Sequence, residues 1–418
     1  MRRGADPAGA GRGGLTVDPL PPLTEDSRLV LKELTVVPED GEHLVGDPQT
    51  GVYVAVPRIA VTLIERLRGG ATLGQAGQAA SVEAGEEVDA VDFGQTLVEL
   101  GFVAQINGTP VSAMPDAPAR RWIAGVRPEL VRPLFGPLAW LCYGVLFVGC
   151  AVLMVAVPAY RPDPDDLYFL SSPVLSLGAL AVWAMLSTAG HEVAHWLAAR
   201  AQGVPARFSI GRRLYFLVFE TDLSQLWGLP RRRRFGPLLA GLAYDTVLLS
   251  GLLAVALIGA DDGLDRLVAA LVAVEVSGIL FQFLVFLRTD LYAVLVMLLG
   301  CRDLWRVNTL ELRRMLGRLD ERQAAELASA HPRDRRVAAW FRWLCLAGFA
   351  AAAGYFVAFF LPALWTLLGW IAESLSTAAP TTGRFWQSVV FSALALTPLA
   401  LLVGVATRER LHRRRKAQ

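Results

Sequence analysis

Beyond about residue 134 the chain alternates long apolar runs with short charged ones, whereas the first hundred residues alternate apolar and polar positions on a much shorter scale. The apolar runs fall at about 134–157, 168–197, 235–258, 267–287, 338–370 and 385–405. Each is close to or above the ~20 apolar residues that a helix needs to cross a bilayer. The pattern predicts a polytopic α-helical membrane protein with about six transmembrane helices. Arginine sets the expected orientation. It clusters before the first run, in RRRR at 231–234, between 302 and 336, and in the tail RERLHRRRKAQ, while the loops RPDPDD, GADDG and ESLSTAAPTTG are acidic or neutral. By the positive-inside rule both termini then lie in the cytoplasm.

Residues 30–107 carry a different pattern. LTVVPED and EHLVGD are short strand-like runs, and DPQTG is a turn signal before GVYVAV, whose alternation fits a hairpin strand. Helices are expected over about 60–68 and 72–80, and a third from Ser81, with Glu83, Glu86 and Glu87 in its first turns, to about Leu100. Gly101 ends that helix and FVAQI returns as a strand. Strands, three helices and a returning strand predict a small α+β domain of winged-helix type. A nucleic-acid partner is excluded by charge. Glu33, Glu39, Asp40, Glu42, Asp47, Glu65, Glu83, Glu86, Glu87, Asp89, Asp92 and Glu99 outnumber Lys32, Arg58, Arg66 and Arg68, whereas phosphate binding needs a basic face.

Hydrophobic residues make up 54% of the 418-residue chain and mean hydropathy is +0.43, which agrees with a membrane protein carrying a soluble portion. The net charge of +2 averages segments of opposite sign and says little about partners. Residues 1–29 are rich in Gly, Pro and Ala and lack the apolar core of a signal peptide, so they are expected to form a disordered cytoplasmic leader. Residues 108–133 read as a linker, with a membrane domain from 134 to 418. The cysteines Cys142, Cys150, Cys301 and Cys345 show no C-x-x-C spacing and behave as small apolar residues.

Chemistry concentrates in STAGHEVAHWLAAR, at the inner end of the second apolar run. His191 and His195 are four residues apart, so a helix projects both from one face about one turn apart, where two imidazoles can share a tetrahedral metal. Glu192 lies beside the first. In H-E-x-x-H hydrolases that glutamate accepts a proton from the attacking water and passes it to the leaving amine. The plain alternative is a pair of hydrogen-bonded helix histidines. Ionisable groups inside a membrane segment are costly and functional by default, which favours the metal. The predicted topology puts the histidines roughly 7 to 14 Å from Arg200, with the site opening to the cytoplasm.

Catalytic zinc takes a third protein ligand and leaves a position for water. Glu275 lies about four turns before Asp290 and is too deep. Asp222 sits in the loop FETDLSQLWGLP. Asp245, in LAGLAYDTVLL, and Asp290, at the end of the fourth run in LRTDLYAVL, both suit the depth of His191, and depth does not separate them.

Within a membrane-domain core placed at 168–300, residues 186 to about 299 resemble the core of the site-2-protease family of intramembrane zinc metalloproteases, in the bacterial branch associated with peptide maturation and export. AGHEVAH is similar to its zinc helix, FETDLSQLWGLPRRRR followed by LLAGLAYD to its T-D-x-x-x-x-W-x-x-P-x-R segment and small-residue helix, and LRTDLYAVL to its L-R-F-D-G-Y-Y-x-L segment. The resemblance implies a Zn2+ site of His191, His195 and Asp290, with Glu192 catalytic. Leu291 departs from the family's glycine, and Gln282 stands where an asparagine commonly helps stabilise the oxyanion, a role an amide donor keeps. No proline between Gln282 and Asp290 loosens the helix there. RFSIGRRLYFLVFETDL alternates as a hairpin does, either as an edge strand for substrate, as in this family, or as a plain surface hairpin.

EHLVGDPQTGVYVAVPRIAVTLIERL and TLVELGFV resemble the PqqD-like recognition element of enzymes that mature ribosomal peptides. In that family a leader peptide adds as an extra strand and packs against the last helix, here around 88–100. Together the resemblances imply an intramembrane zinc endopeptidase of the bacterial cytoplasmic membrane that removes the leader from, or matures, a ribosomally made precursor peptide. Two alternatives remain: regulated proteolysis of a membrane signalling protein, and a non-catalytic peptide chaperone, export or immunity protein.

Overall fold

The computed structural model describes residues 22–39, 41–111, 126–204, 207–213, 216–222, 224–259 and 261–377, with scattered positions beyond 377. The chain forms two compact units, Met1–Arg121 with Trp227–Pro230, and Trp122–Leu226 with Arg231–Gln418.

In the first unit the order is β1 (Leu29–Leu31), β2 (Thr35–Glu39), β3 (Glu42–Asp47), β4 (Val52–Val56), α1 (Arg58–Arg68), α2 (Leu73–Ala84), α3 (Ala90–Glu99), β5 (Val103–Ile106) and β6 (Thr109–Pro110). Strands β2, β3 and β4 form an antiparallel meander, and β1, β5 and β6 a second antiparallel sheet. Ala60, Leu63, Ile64 and Leu67 of α1 recur at helical spacing and are buried with Val45, Leu73, Leu97 and Phe102 in one apolar core. This burial of an amphipathic stripe is what makes short helices stable in water.

Three boundaries differ from those the sequence predicts. The helix expected to open at Ser81 does not, because α2 continues through it and ends at Gly85, which adopts the left-handed conformation of a helix C-cap. The side chain of Asp89 caps α3 instead, accepting from the backbone N–H groups of Val91 and Asp92, while the Ser81 hydroxyl accepts from the Val88 N–H in the connection. At the edges, Leu29 begins β1 and is buried, so it belongs to this unit and not to a leader. Past the expected end at 107 the chain turns at Asn107 and Gly108, both at positive φ as a tight hairpin turn requires, and runs back as β6.

The second unit is α4 (Pro128–Val131), α5 (Pro137–Ala156), α6 (Pro173–Ala201), β7 (Arg207–Arg213), β8 (Phe216–Asp222), α7 (Arg231–Ile258), α8 (Asp262–Gln282), α9 (Asp290–Leu298), α10 (Leu304–Met315), α11 (Glu321–Ser329), α12 (Pro332–Tyr355) and, after a π-helical turn at Phe356–Phe360, α13 (Leu361–Thr377). Among the described residues three helices are long and apolar enough to cross a membrane: Pro137–Ala156, Arg231–Ile258 and Pro332–Ala358. The surface of α5 agrees. Only Cys150 of its twenty residues is buried, and Leu138, Leu141, Val145, Val152 and Val155 face outward, as lipid contact allows and water does not.

The fourth apolar run is not one helix. Helix α8 stops at Gln282, residues Val285–Leu287 make a 3-10 turn, and α9 starts afresh at Asp290. The fifth run is longer than expected, being helical from Pro332 through Thr377 across the π-turn. The run at 385–405 lies largely outside the described residues. Helices α10 and α11 pair over a core that includes Leu304, Val307, Leu310 and Leu327, packed on Val337, Ala338 and Phe341 of α12. Arg306 donates two hydrogen bonds of 2.6 Å to the Glu326 carboxylate, a bidentate clasp between the pair.

Candidate metal centre

Helix α6 begins where Ser172 caps Leu175 and Pro173 takes the first turn, and it runs 29 residues without a glycine or proline break strong enough to stop it. Near its C-terminal end His191, Glu192 and His195 are buried, with His195 only 2% exposed. Their period places both imidazoles against α7. That contact is close because two glycines sit in it. A Cβ on Gly241 of α7 would overlap the His191 ring, and one on Gly190 of α6 would overlap the Tyr244 ring.

Helix α7 fixes both rings by their outer nitrogens. His191 Nδ1 lies 2.8 Å from Asp245 Oδ2, and His195 Nδ1 lies 2.6 Å from the Pro237 carbonyl oxygen. A carbonyl oxygen only accepts, so His195 Nδ1 carries a proton, and a carboxylate beside His191 Nδ1 favours the same tautomer there. Both Nε2 atoms are thereby turned inward as lone pairs.

Asp290 completes the group from α9. Arg288 adopts the left-handed conformation, at φ 60° and ψ 44°, and this reversal takes the place of the proline that the sequence lacks. It lets the chain restart with Asp290 as the first residue of a helix, where an anion is favoured. Gln282, the last residue of α8, holds the restart. Its side-chain oxygen accepts from the Asp290 backbone N–H at 3.2 Å, and its own carbonyl accepts from the Thr289 hydroxyl at 2.6 Å.

The result is a triangle of donor atoms. Asp290 Oδ2 lies 3.0 Å from His191 Nε2 and 3.2 Å from His195 Nε2, and the two Nε2 atoms are 3.1 Å apart. Three lone-pair atoms at such distances repel unless a positive charge is shared among them. Two adjacent imidazolium ions would be an expensive way to supply it inside an apolar helix pair. A divalent ion supplies it without that cost. Bonds of about 2.0–2.1 Å in a tetrahedral set separate ligand atoms by about 3.3 Å, close to the observed spacing. The residues therefore fit zinc, with two imidazoles and one carboxylate as protein ligands. The Asp290 side chain is 28% exposed, so the site opens on that side.

The other residues singled out by sequence fall around this triangle. The carboxylate of Glu192 is near, its ligand atoms and those of His191 and His195 all lying within 4.8 Å of one another, but it is engaged elsewhere. Its Oε2 accepts from the Thr221 hydroxyl of β8 at 2.6 Å. Asp245 touches the far side of His191, which makes it an orienting partner and not part of the triangle. Glu275 accepts from Trp183 Nε1 at 2.7 Å and from the Ser187 hydroxyl at 3.0 Å, one turn before His191 on α6. The side chain of Asp222 lies outside the described residues.

Thr221, Gly241 and the Pro237 carbonyl escaped the sequence reading. Thr221 opens the T-D-x-x-x-x-W-x-x-P-x-R-like segment, but that match does not say which group the threonine meets, and a backbone carbonyl carries no signal at all. Gly241 had one, as the smallest residue of LLAGLAYD, on the face that carries Asp245 one turn later. Gly241→Ala is expected to push the His191 ring aside and, where the triangle holds zinc, to weaken that binding by ~10–100-fold, the scale of losing an orienting contact. Competition with a zinc-binding dye reads this directly. Unchanged affinity would mean that the two helices part to admit the methyl group.

Comparison with known protein families, curated proteins and solved structures found no match to this chain.

Proposed function

We propose that the protein is a zinc-dependent endopeptidase of the membrane that cuts a ribosomally made peptide captured by its N-terminal domain. The observation that carries this reading is the inward-facing set of His191 Nε2, His195 Nε2 and Asp290 Oδ2, mutually 3.0 to 3.2 Å apart, with the Glu192 carboxylate beside it. His191, His195 and Asp290 are the ligands in this reading. Zinc held there supplies a Lewis acid for a carbonyl oxygen and lowers the pKa of water to near 7.

The chain's own residues do the rest. Glu192 takes the proton of the attacking water as the new C–O bond forms, and returns it to the amide nitrogen as the C–N bond breaks. Asp245 and the Pro237 carbonyl keep the two Nε2 lone pairs pointed inward. The Gln282 amide oxygen accepts from the Asp290 N–H, which leaves its NH2 group as a donor that this reading assigns to the developing oxyanion.

Topology and delivery belong to the same proposal. Arginine-rich segments at alternate loops support six spans with both termini cytoplasmic. The acidic first unit has two three-stranded sheets, and an exposed sheet edge is a common way to hold an extended peptide.

The test is metal and cleavage together. The full chain, purified in detergent, is expected to hold about one zinc per protein, as a single triad of ligands implies. A chelator should abolish cleavage of precursor peptides encoded beside the gene, and added zinc should restore it. Well-folded protein that holds no metal would end the reading.

A further inference from the structure

On the peptidase reading, one contact at the site has no assigned purpose. Thr221 is the penultimate residue of β8, and its hydroxyl oxygen lies 2.6 Å from Glu192 Oε2 and 3.1 Å from the Glu192 carbonyl oxygen. A hydroxyl has one proton to give. The carbonyl sits within α6, where the helix already supplies it with an N–H partner. The carboxylate is the nearer acceptor, and 2.6 Å falls in the range of a charge-assisted O–H···O⁻ bond. The proton therefore belongs to Glu192.

Helix geometry explains why the glutamate needs it. Glu192 follows His191 by one residue, so its Cα direction is turned by about 100° from the histidine that faces α7. A flexible side chain leaving at that angle is not directed at the reacting water by the helix alone, and freezing it costs rotamer entropy. Asp245 and Pro237 both serve the imidazoles. Among the described residues, Thr221 is the side chain that holds the carboxylate of Glu192.

The bond also matters to the strand that makes it. Among the described residues strands β7 and β8 pair only with each other, in register from Arg213 opposite Phe216 to Arg207 opposite Asp222. An isolated two-stranded ribbon is marginal and needs an anchor. Thr221, near the end of that register, ties β8 to α6.

We propose that Thr221 is a positioning residue whose hydroxyl aims the Glu192 carboxylate, making the β7–β8 hairpin part of the catalytic apparatus and not a surface appendage. Any strand that adds to this ribbon is then set at a fixed distance from the general base.

Two experiments on the full-length chain in detergent test it. Thr221→Val keeps the shape and removes the donor, and Thr221→Ser keeps the donor. The valine variant is expected to lose turnover by ~10–100-fold, with KM within about twofold and zinc content unchanged, since the effect falls on an interaction made in the transition state. Serine should recover most of the loss. A merely structural threonine would instead make serine as poor as valine. The second readout needs no activity. In metal-stripped protein, hydrogen exchange across residues 216–222 should quicken in Thr221→Val and in Glu192→Ala, and the double variant should exchange no faster than the quicker single one. Wild-type turnover in Thr221→Val, serine no better than valine, or additive exchange would each overturn the proposal. If the wild type neither binds zinc nor cuts, the peptidase reading fails and the positioning role goes with it, while the exchange cycle still reports the contact. An active wild type with an unaffected valine variant sinks Thr221 alone.

Discussion

Asp290→Ala is expected to leave the protein folded but without metal, whereas Asp245→Asn should keep its zinc at ~10–100-fold lower affinity. The difference follows from which atoms they meet. Asp290 Oδ2 is within 3.2 Å of both inward Nε2 atoms, so its loss removes one of the three proposed ligands. Asp245 meets only His191 Nδ1, on the outer side of the ring, and asparagine can still accept there through its amide oxygen. Metal content after dialysis should fall close to zero for Asp290→Ala, and cleavage with it. Asp245→Asn should retain measurable cleavage when zinc is supplied in excess. Asp290→Ala should still fold, because Asp290 is partly exposed at a helix start, where alanine is an acceptable first-turn residue, and Asp245→Asn keeps the shape of a buried side chain. The reverse order, with Asp245→Asn the metal-free protein, would exchange the two aspartates and move the site deeper along α7.

That ambiguity shows what the sequence could carry. The two histidines and Glu192 were legible because their relation is local, four residues on one helix, and ionisable side chains in a long apolar run are costly without a partner or a role. The β7–β8 hairpin was legible from alternation alone. The meeting of Asp290 with the histidines was not legible from depth or spacing, and only the family resemblance pointed to it, since Asp290 meets His191 across 99 residues and its position is set by a chain break between α8 and α9. Arg288 makes that break in a left-handed conformation that arginine rarely adopts, so no proline or glycine announced it. The helix boundary at Ser81 failed for a related reason. Serine followed by glutamates has the form of a helix start, yet Gly85 and Asp89 lie within eight residues and form a stop and a start of better geometry.

Burial also changes the meaning of residues that sequence could only rank. Glu275 was set aside on depth, and its carboxylate indeed meets Trp183 and Ser187 and not an imidazole. Four acidic side chains thus lie on or against roughly three turns of α6, from Trp183 to His195, each with different partners: Glu275 with an indole and a hydroxyl, Asp245 with an outer ring nitrogen, Asp290 with two inner ones, and Glu192 with a threonine. Only Asp290 faces two nitrogen lone pairs at once. Division of labour among like groups by environment is how one chemical type serves as ligand, orienting group and base in one site.

Glu192→Gln is expected to separate metal binding from catalysis. Glutamine has the same shape and can accept the Thr221 hydroxyl through its amide oxygen, so the hairpin stays tethered and the triangle of His191, His195 and Asp290 is untouched. Zinc content should therefore equal that of the wild type. What glutamine lacks is a carboxylate to take the water proton and return it to the leaving amine, and general acid–base catalysis by one positioned group is worth ~10²–10⁴ in rate. Turnover should fall by about 10³-fold with little change in KM, since the group acts in the transition state and contributes little to holding the ground-state peptide. Because capture and metal are intact, the variant should also accumulate uncut precursor, which co-purification from cells expressing both would reveal. Cleavage within tenfold of wild type would mean that another group removes the proton, and Asp290, the remaining partly exposed carboxylate at the site, would then have to be considered as base and not as ligand. The zinc content of Asp290→Ala decides between those two roles, so the pair of variants fixes both carboxylates at once.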